Sequence, residues 1–537
     1  MKMTYPYLNK AQILDMLLER DVERGFSSLQ DLPLPQSLTH AFEGAQIVAK
    51  CINKGQEVLV IGDYDADGVC ASAIMVRFFR ILGYENMRLI IPHRFNDGYG
   101  VSAPLLEKYA NNAAVIVSVD NGITALSAGE WCKKAGVSLV ITDHHMPTGD
   151  IPNADVIIDP YLSDCTFPQK AICGAVVAWY FCAALKQILK AKVDMGIFLG
   201  YLAIASVGDI MPLVGINRLF VKKGIESLAR DCMPFAQILR GKSKRLDSQT
   251  LAFSFVPLLN AAGRVASADI ALEFLVSEDF TQAKIAYDKL VTFNNERKQI
   301  QNEILESARV NLMQNEYIAI SYAKGWHEGV LGIVASSLAR ECKKSTFIFS
   351  EHNNVLKGSG RSFGGVNLIE SITSLEGQKK HLLAYGGHSG AVGLSLERSN
   401  LEHFFTLLPT TLIVEKDEED GVLGVIKSTD INEELMEILQ SFEPFGVGNP
   451  TPIFICEKMR IESIKPLGKK NKDAEKEQEI RHFEYVLQDM TNEIRLIGVE
   501  FFAPCMREIG QCGDVYFEII RDSYYKRLNL KIIDFIS

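Results

Sequence analysis

The stretch GDYDADGVCASAIMVRFFRIL, residues 62–82, decides the fold of the first half of the chain. It follows the apolar run EVLVI at residues 57–61, which predicts a buried β-strand. Small residues come directly after the aspartates and favour a closely packed helix over about Gly68–Leu82. A buried strand that passes through a short acidic turn into a helix is typical of an α/β unit.

Three more apolar runs follow along the chain, VIVSV (115–119), SLVIT (138–142) and DVIID (155–159). Helix-length segments separate them. Runs that are apolar at nearly every position are typical of parallel strands covered on both faces. We therefore predict an α/β fold with a doubly wound parallel sheet.

Patterns of apolar and polar residues divide the rest of the chain into helical segments and segments of short strands. Residues 173–205 and 268–312 have helical patterns, and the second of these ends in a long polar stretch. Short alternating strands from residue 422 onward favour a small β-barrel of the OB type, and the acidic run VEKDEEDG (414–421) is expected to be a linker. We expect an N-terminal segment (1–45), a first α/β domain (46–235), a helical connector (236–315), a second α/β domain (316–413) and the barrel (422–537).

The composition limits the possible classes of protein. With 537 residues, 47% of them hydrophobic and 23% charged, the chain is typical of a multidomain globular protein. It has no 18-residue apolar run and no signal-peptide pattern in its first 20 residues, so no membrane span or secretion is expected. Its 11 cysteines include no CxxC pair, which favours reduced thiols in the cytoplasm. A net charge of −10 does not exclude nucleic-acid binding, because phosphate affinity depends on local patches.

Carboxylates and histidines follow three of the predicted strands. They are the runs Asp63-Tyr64-Asp65-Ala66-Asp67, Asp120-Asn121-Gly122 and Asp143-His144-His145. Each run alone is explained by turn or helix-cap chemistry, and for Asp67, just before the helix, we favour a helix cap or a role in supporting a metal ligand. Parallel strands share a carboxyl edge, however, so the three runs are expected to converge there. Converged carboxylates with imidazole indicate a site for Mn²⁺ or Mg²⁺.

These motifs resemble a known family. GDYDADG, VDNG and TDHH look like the first three signatures of the DHH phosphoesterases, and AIASVGDIMPLVGINR (203–218) resembles the fourth in its RecJ-type version. That last resemblance identifies Asp209, which by itself would be a helix-terminal aspartate. Further similarities are LLNAAGR (258–264), the DHHA1-like stretches WHEGVLGIVASSLAR (326–340), GSGRS (358–362) and GGHSGAVGLSL (386–396), and the RecJ-type OB stretch FEPFGVGNPTPIF (442–454).

The resemblance implies a two-metal site. One ion would be bound by Asp65, Asp120, His144 and Asp209, and the other by Asp63 with a shared Asp120. His145 would contact phosphate or assist proton transfer, and Asp143 would orient a histidine. Some relatives carry a histidine where this chain has Ile61, so we expect weaker binding at one metal position.

The resemblance also implies a substrate clamp in the second α/β domain. Arg361 and Ser359 would bind phosphate, and the Gly386-Gly387-His388 turn would let backbone amides approach it. Arg264 and His327 are weaker candidates. Single-strand contacts on the barrel would come from Lys469, Lys470, Tyr524, Tyr525, Lys526 and Arg527, although an ordinary solvated surface explains them equally well.

The function implied is a metal-dependent exonuclease specific for single-stranded DNA, acting 5′→3′ in DNA repair and recombination. A helicase and a single-strand-binding protein are its implied partners. One alternative is a DHH phosphodiesterase for short oligonucleotides or cyclic dinucleotides, and the length of the substrates degraded would distinguish it. Another is a catalytically silent scaffold, against which the complete set of aspartates and histidines argues.

Overall fold

The structure is a computed structural model that describes residues 5–147, 149–378, 382–414, 421–467, 482–501, 503, 506–522 and 527–536. Three sheets occur within this part of the chain. The proposed barrel contacts Lys469, Lys470, Tyr524, Tyr525 and Lys526, and residues 415–420 of the acidic run, lie outside the described residues. No described helix is long and apolar enough to cross a membrane.

The first sheet has five parallel strands in the order β2-β1-β3-β4-β5. They are β1 (Glu57–Ile61), β2 (Met87–Ile90), β3 (Ala113–Val119), β4 (Ser138–Thr142) and β5 (Val156–Ile158). Side chains alternate between two apolar cores, because Val58 and Val60 belong to one and Leu59 and Ile61 to the other. The predicted doubly wound α/β fold is confirmed, with β2 as an edge strand that the sequence did not reveal.

Helices cover both faces of this sheet. On the face that carries Val58, the core contains residues of α2 (Ala41–Asn53), α3 (Ala66–Leu82), α6 (Gly174–Leu189), α7 (Leu199–Gly208) and part of α8 (Gly215–Leu228). On the face that carries Leu59, the core contains residues of α4 (Ala103–Tyr109) and α5 (Leu126–Ala135). The order 2-1-3-4-5 reverses between β1 and β3. Ligands of such sheets bind at the carboxyl edge near this reversal, which is where the acidic motifs lie.

The connector packs on the first domain rather than only joining two domains. It comprises α9 (Pro234–Lys242), α10 (Ser248–Thr250), a π-helical turn (Leu251–Phe255), α11 (Val256–Val265), α12 (Asp269–Val276) and the 31-residue α13 (Phe280–Val310). Phe274 and Leu290 lie in the same core as the first sheet. The other end of α13 packs through Ile304 and Ala308 on the second domain. This helix therefore fixes the two α/β domains side by side.

The second α/β domain has a six-stranded sheet in the order β10-β11-β9-β8-β7-β6. Its elements are β6 (Met313–Gln314), β7 (Ile318–Lys324), α14 (Leu331–Cys342), β8 (Ser345–His352), β9 (Val355–Arg361), α15 (Leu368–Gln378), β10 (Leu382–His388), β11 (Ala391–Glu397) and α16 (Leu401–Leu407). Helix α14 packs on one face, over Ile348, and α15 and α16 pack on the other, over Phe347 and Phe349. The glycine-rich strands β9, β10 and β11 lie together at one side.

The third sheet closes on itself, because β13 pairs with both β14 and β16. Its elements are β12 (Val422–Val425), α17 (Glu433–Ser441), β13 (Ile453–Pro466), β14 (His482–Asp489), β15 (Arg495–Phe501), β16 (Cys512–Asp522) and β17 (Arg527–Ile536). Burial alternates along β14, as expected for a strand with one face inside. The predicted OB-type barrel agrees with this closed sheet.

Residues 5–19 are part of the barrel unit, although they are distant from it in sequence. Leu8 and Val425 are joined by a backbone hydrogen bond of 2.8 Å, and α1 (Lys10–Glu19) buries Ile13 and Leu17 in the barrel core. The described part of the predicted N-terminal segment is therefore divided. Its first helix packs on the barrel, and α2 covers the first sheet.

Candidate metal centre

The turn after β1 is shaped by its own aspartates. The Asp65 carboxylate caps α3, because its Oδ1 accepts hydrogen bonds of 3.0 Å from the backbone N–H groups of Asp67 and Gly68. The Asp63 carboxylate accepts a bond of 2.7 Å from the N–H of Tyr64. Carboxylate oxygens of Asp63, Asp65 and Asp120 lie within 4.8 Å of one another. The acidic turn thus directs two carboxylates towards the end of β3.

Asp120 follows β3 in a left-handed backbone conformation, with φ 63°. Its carboxylate lies so close to the first residue of α6, Gly174, that a Cβ there would be 2.3 Å from Asp120 Oδ1. Only glycine leaves room for this approach. The N-terminus of α6 therefore lies directly against the Asp120 carboxylate.

His144 follows β4 and lies among three carboxylates. Its Nε2 is 3.1 Å from Asp120 Oδ1, 3.6 Å from Asp209 Oδ2 and 3.7 Å from Asp67 Oδ2. Both His144 Nε2 and Asp120 Oδ1 are buried, and neither has a hydrogen-bond partner among the described residues. Buried polar atoms are nearly always paired, and a carboxylate oxygen and an imidazole nitrogen at this distance suit two ligands of one cation.

Asp67 differs from the other aspartates of its motif. Its carboxylate accepts hydrogen bonds from the N–H groups of Gly174 and Ala175, at 2.6 and 2.8 Å. The predicted cap of the helix that follows Asp67 is wrong, because Asp65 is the N-cap of α3 and Asp67 lies in its first turn. Asp67 caps α6 instead. A carboxylate at a helix N-terminus is favoured by the helix dipole.

Asp209 reaches the same place from the end of α7. It is the C-cap residue of that helix, and the next residue, Ile210, has φ 54°. A positive φ is unusual for a β-branched residue, so the chain turns sharply just after the carboxylate. Leu213 then donates a 2.6 Å backbone hydrogen bond to Val447 of the barrel unit. The loop carrying Asp209 is thus held between two domains.

The electrostatics follow from this convergence. Burial, together with the charges of neighbouring aspartates, raises the pKa of Asp63, Asp120 and Asp209 above the ordinary value. A divalent cation would offset that repulsion, and its oxygen and imidazole surroundings suit Mn²⁺ or Mg²⁺. We call Asp63, Asp65, Asp120, His144 and Asp209 the metal centre. Ile61 offers it no ligand atom, since its side chain is buried in the core of Leu59.

Asp143 lies behind the metal centre and contacts His145. Its Oδ1 accepts a hydrogen bond of 2.7 Å from His145 Nδ1, and its Oδ2 accepts one of 2.8 Å from the N–H of Ile123. Burial alone would raise the pKa of Asp143, but these hydrogen bonds and the histidine hold it below its ordinary value. Burial likewise opposes protonation of His145, yet Asp143 raises the pKa of that imidazole to about 9. The predicted orienting contact is present.

The glycine-rich strands of the second domain face the first domain across a cleft of about 710 Å³. The Arg361 guanidinium lies in this cleft and donates hydrogen bonds of 2.8 Å to Ser359 Oγ and to the carbonyl of Gly360. His388 ends β10, and its Nδ1 accepts a hydrogen bond of 3.2 Å from the N–H of Gly390. Gly387, with φ 144°, lies in the β10 segment beside it.

The other predicted clamp residues lie around this cleft. Arg264 lines it and donates a hydrogen bond of 3.0 Å to the carbonyl of Gly329. His327 caps the turn before α14, and its ring is 5.2 Å from that of Phe95. Gly386 has open space where a Cβ would be. On the barrel, Arg527 is paired with Glu484 at 2.9 Å.

Several cleft residues were not predicted from the sequence. Arg94 and Tyr99 come from HRFNDGYG (93–100), in which glycines and a cationic residue follow a strand. Burial lowers the pKa of Arg264 to about 10, and Arg94, Arg361 and Arg297 add to the effect. Converging guanidiniums repel one another unless an anion lies between them. The guanidiniums of Arg94, Arg264 and Arg361 thus line one cleft.

Asn260 was inside a recognised stretch, LLNAAGR, but its contact could not be predicted. Its Oδ1 accepts a hydrogen bond of 2.7 Å from the N–H of Ala66, in the first turn of α3. Gly263 lies against the carbonyl of Tyr64, where a Cβ would be 2.4 Å from the oxygen. The connector thus supports the acidic turn from outside the first domain.

An apolar groove of about 530 Å³ lies beside Asp209. Ile210, Phe253 and Val447 line it and are exposed, Phe253 by 80%. Arg264 and Arg297 line its other end. Exposed aromatic and aliphatic side chains next to arginines are the surface that unpaired bases and their phosphates require.

Comparisons of sequence profiles match three segments of the chain to known domains. The DHH family, N-terminal domain, matches residues 57–205. The DHHA1 domain matches residues 315–412, and the RecJ OB domain matches residues 424–533. These matches coincide with the three sheets.

Whole-chain comparisons extend this similarity. The single-stranded-DNA-specific exonuclease RecJ of Dickeya dadantii is 31% identical over 468 residues, which cover 81% of this chain and 80% of that one. RecJ of Escherichia coli is 30% identical, with 83% of each chain covered. The crystal structure of Thermus thermophilus RecJ with Mn²⁺ superposes with a TM-score of 0.80 at 22% identity, covering 98% of this chain and 76% of that one. An exonuclease RecJ bound to manganese gives a TM-score of 0.58 at 28% identity, covering 71% and 94%.

Proposed function

This chain belongs to the RecJ family of DHH phosphoesterases, and on that premise we propose that it is a metal-dependent exonuclease that hydrolyses single-stranded DNA. It releases nucleotides in the 5′→3′ direction, the polarity that the resemblance implies, and acts in DNA repair and recombination. One observation carries the proposal. Asp120 Oδ1 and His144 Nε2, both buried and without a hydrogen bond among the described residues, face each other at 3.1 Å inside a ring of carboxylates.

The metal centre fits two divalent ions, Mn²⁺ or Mg²⁺. Asp65, Asp120, His144 and Asp209 would hold one, and Asp63 with Asp120 would hold the other. Two such ions, when bound, activate water and stabilise the leaving oxygen of a phosphodiester. The carboxylates that gather at the end of β3 support this assignment.

The remaining residues of the site bind and orient the substrate. Asp143 holds His145 through Nδ1, so the other ring nitrogen is available to donate to a phosphate oxygen. Across the cleft, Arg361, Arg264 and Arg94 supply guanidiniums for the phosphates of the strand. Ser359 fixes one of them by accepting a hydrogen bond from Arg361.

Preference for a single strand follows from the surfaces beside the metal centre. Tyr64, Tyr99 and Tyr385 line the cleft that also contains Arg94, Arg264 and Arg361. Phe253 and Ile210 line the apolar groove. Bases can stack on such side chains only when they are not paired in a duplex. Unpaired bases are therefore the ligands that this site accommodates.

Digestion of end-labelled single-stranded DNA under Mn²⁺ titration tests the proposal. We expect mononucleotides from long strands and little product from a blunt duplex. Degradation of dinucleotides or cyclic dinucleotides alone would favour the alternative phosphodiesterase. Absence of hydrolysis with both Mn²⁺ and Mg²⁺ would favour a silent scaffold.

We also propose that the protein acts in the cytoplasm with a helicase and a single-strand-binding protein. A site for unpaired bases cannot use a duplex until its strands are separated, which a helicase would do. Stimulation of duplex digestion by a purified helicase would support this, and equal rates with and without it would contradict it.

A further inference from the structure

The apolar groove beside Asp209 is continuous with the cleft that contains Arg361. Arg264 lines both of them, so the two concavities meet at this residue. Gly208 and Ile210, the neighbours of Asp209 in sequence, line the groove. A DNA strand with one phosphate at the metal centre can therefore extend along the groove.

The groove displays apolar side chains from three distant parts of the chain, Ile210, Phe253 and Val447, all of them exposed. Phe253 is the middle residue of the π-helical turn Leu251–Phe255, and both ends of this turn are buried in the core of the first domain. Such turns are rare and frequently lie at functional sites. Single exposed apolar residues are ordinary, whereas several in one groove indicate a binding surface.

Arg297 lines the groove from α13, and its guanidinium is fixed in place by neutral groups. It donates hydrogen bonds of 3.0 and 3.2 Å to Asn294 Oδ1 and one of 2.8 Å to Gln301 Oε1. Arg264 donates to the carbonyl of Gly329, which is also neutral. The hydrogen bonds of both arginines thus orient their positive charges without neutralising them.

A second arginine of α13 shows the contrast. Arg309 forms ion pairs with Glu306 and Glu341, and it does not line the groove. An oriented guanidinium without such a carboxylate is suited to bind phosphate. The groove therefore combines fixed positive charge with an exposed aromatic ring, which are the two features that bind single-stranded nucleic acid.

We propose that the apolar groove is a second binding site for the DNA strand, in which Phe253 stacks on an unpaired base and Arg297 binds a phosphate. The nucleotides bound there lie beyond the one that is hydrolysed, so these two side chains hold the substrate without contacting the reacting atoms. A strand too short to reach the groove loses their contribution. The inference rests on the proposed exonuclease function.

Release of the first nucleotide from end-labelled oligothymidylates of increasing length, measured with the full-length protein, tests the inference. Phe253→Ala should lower kcat/KM for long strands by about tenfold to a hundredfold, because the stacking of one base is lost. Dinucleotides should be cleaved as by the wild type. Arg297→Met should impair the same long strands and should also reduce the slope of log affinity against log salt by about 0.7, the change expected for one phosphate contact.

Strands with a single abasic position identify the nucleotide that stacks. As the abasic position is moved along the strand, kcat/KM of the wild type should fall most at one position. In Phe253→Ala that position should no longer differ from its neighbours, because a contact that is already lost cannot be lost again. A merely structural role of Phe253 would leave the dependence on position in place.

Phe280→Ala and Arg309→Met are the matched controls. Phe280 is exposed at the first residue of α13, and neither Phe280 nor Arg309 lines the groove. In both variants kcat/KM, its dependence on the abasic position and the salt slope should be those of the wild type.

Different outcomes would overturn different claims. If the wild type degrades DNA and Phe253→Ala keeps both its rate on long strands and its sensitivity to the abasic position, the groove does not bind the strand. An unchanged salt slope in Arg297→Met would refute its phosphate contact. If the wild type releases no nucleotide from any strand with Mn²⁺ or Mg²⁺, the proposed exonuclease function itself fails.

Discussion

The metal centre and the barrel both bury charged side chains, but they pair them differently. In the barrel, Glu500 accepts hydrogen bonds from Arg507 at 2.8 and 3.1 Å and from the Tyr485 hydroxyl at 2.8 Å. We call these three residues the barrel cluster. In the metal centre, Asp120 Oδ1 and His144 Nε2 have no hydrogen-bond partner among the described residues. The barrel cluster is complete in itself, whereas the metal centre leaves polar atoms that a cation could bind.

The largest effect is expected where the unpaired atoms lie. Asp120→Ala should lower DNA hydrolysis by about a thousandfold or more, because several kcal/mol of transition-state stabilisation would be lost. The melting temperature of the metal-free protein should not fall, since one of several repelling carboxylates is gone. Steady-state kinetics and thermal unfolding would measure both, and Asp65→Ala should behave alike. Turnover like that of the wild type in either variant would refute the ligand assignment.

The barrel cluster should respond in the opposite way. Arg507→Met would leave Glu500 buried without its cation and should lower the free energy of unfolding by about 3 kcal/mol. Affinity for Mn²⁺ should not change. Denaturant unfolding would measure the first effect and calorimetry the second. The control is Arg495→Met, which removes an exposed partner of Glu462 and should have little effect on stability.

A variant of the cleft separates substrate binding from metal binding. Arg361→Ala should lower kcat/KM for single-stranded DNA by about tenfold to a hundredfold, the usual effect of losing a charge-assisted hydrogen bond. Bound Mn²⁺ should remain, because Arg361 contacts Ser359 and Gly360 rather than the carboxylates. Arg340→Ala, on α14, is the control and should leave kcat/KM unchanged. Loss of Mn²⁺ from Arg361→Ala would contradict the assignment of metal binding to the first α/β domain and of substrate binding to the second.

Removing the barrel tests whether it binds DNA, and the structure changes how this must be done. Deleting residues 421–537 alone would expose Leu8, Ile13 and Leu17, so residues 1–24 should be deleted as well. The shortened protein should need several-fold more long single-stranded DNA for saturation, with a shallower dependence on salt. Maximal cleavage of short oligonucleotides should fall less than affinity for long strands, and Mn²⁺ binding is the control because the deletion also removes Val447, which holds the Asp209 loop. An unchanged salt dependence would show that the barrel is not a DNA-binding unit.

Asp159 sharpens the comparison because it too has a buried, unpartnered oxygen, yet it is in none of the possible metal groups. Burial raises the pKa of Asp159 to about 7. A carboxyl whose pKa is higher in the folded state destabilises the fold as pH rises from about 4 to 7. Asp159→Asn should therefore add up to about 4 kcal/mol to stability at pH 8 and almost nothing at pH 4. Denaturant unfolding of metal-free protein at both pH values measures this, and equal gains would contradict it.

Much of the first domain was predictable because its signals are local. β1 and β4 begin and end where the apolar runs do, and the polar residues that follow them converge as expected for parallel strands. Asp209 was identified only through the resemblance, because a helix-terminal aspartate has no distinctive local pattern. Asp209 and His144 lie close together only because of tertiary packing.

The missed features depend on contacts between distant residues. β2 is a short edge strand whose residues are all half-buried, so it lacks an apolar run. Asn260 reaches Ala66 across 194 positions of sequence. The loop HRFNDGYG (93–100) contains an arginine, a tyrosine and two glycines, a pattern that indicates a shaped loop but not what the loop approaches.

The packing of α1 against the barrel has a consequence for synthesis of the protein. Residues 5–19 leave the ribosome about 400 residues before β12, to which they pair, and that interval lasts on the order of 20 to 80 s at usual translation rates. During this time the first domain can fold completely, while the apolar side of α1 stays without its partner. We expect the barrel to mature last, by capturing a segment made first. Chaperone access to the nascent chain would matter most at that early segment.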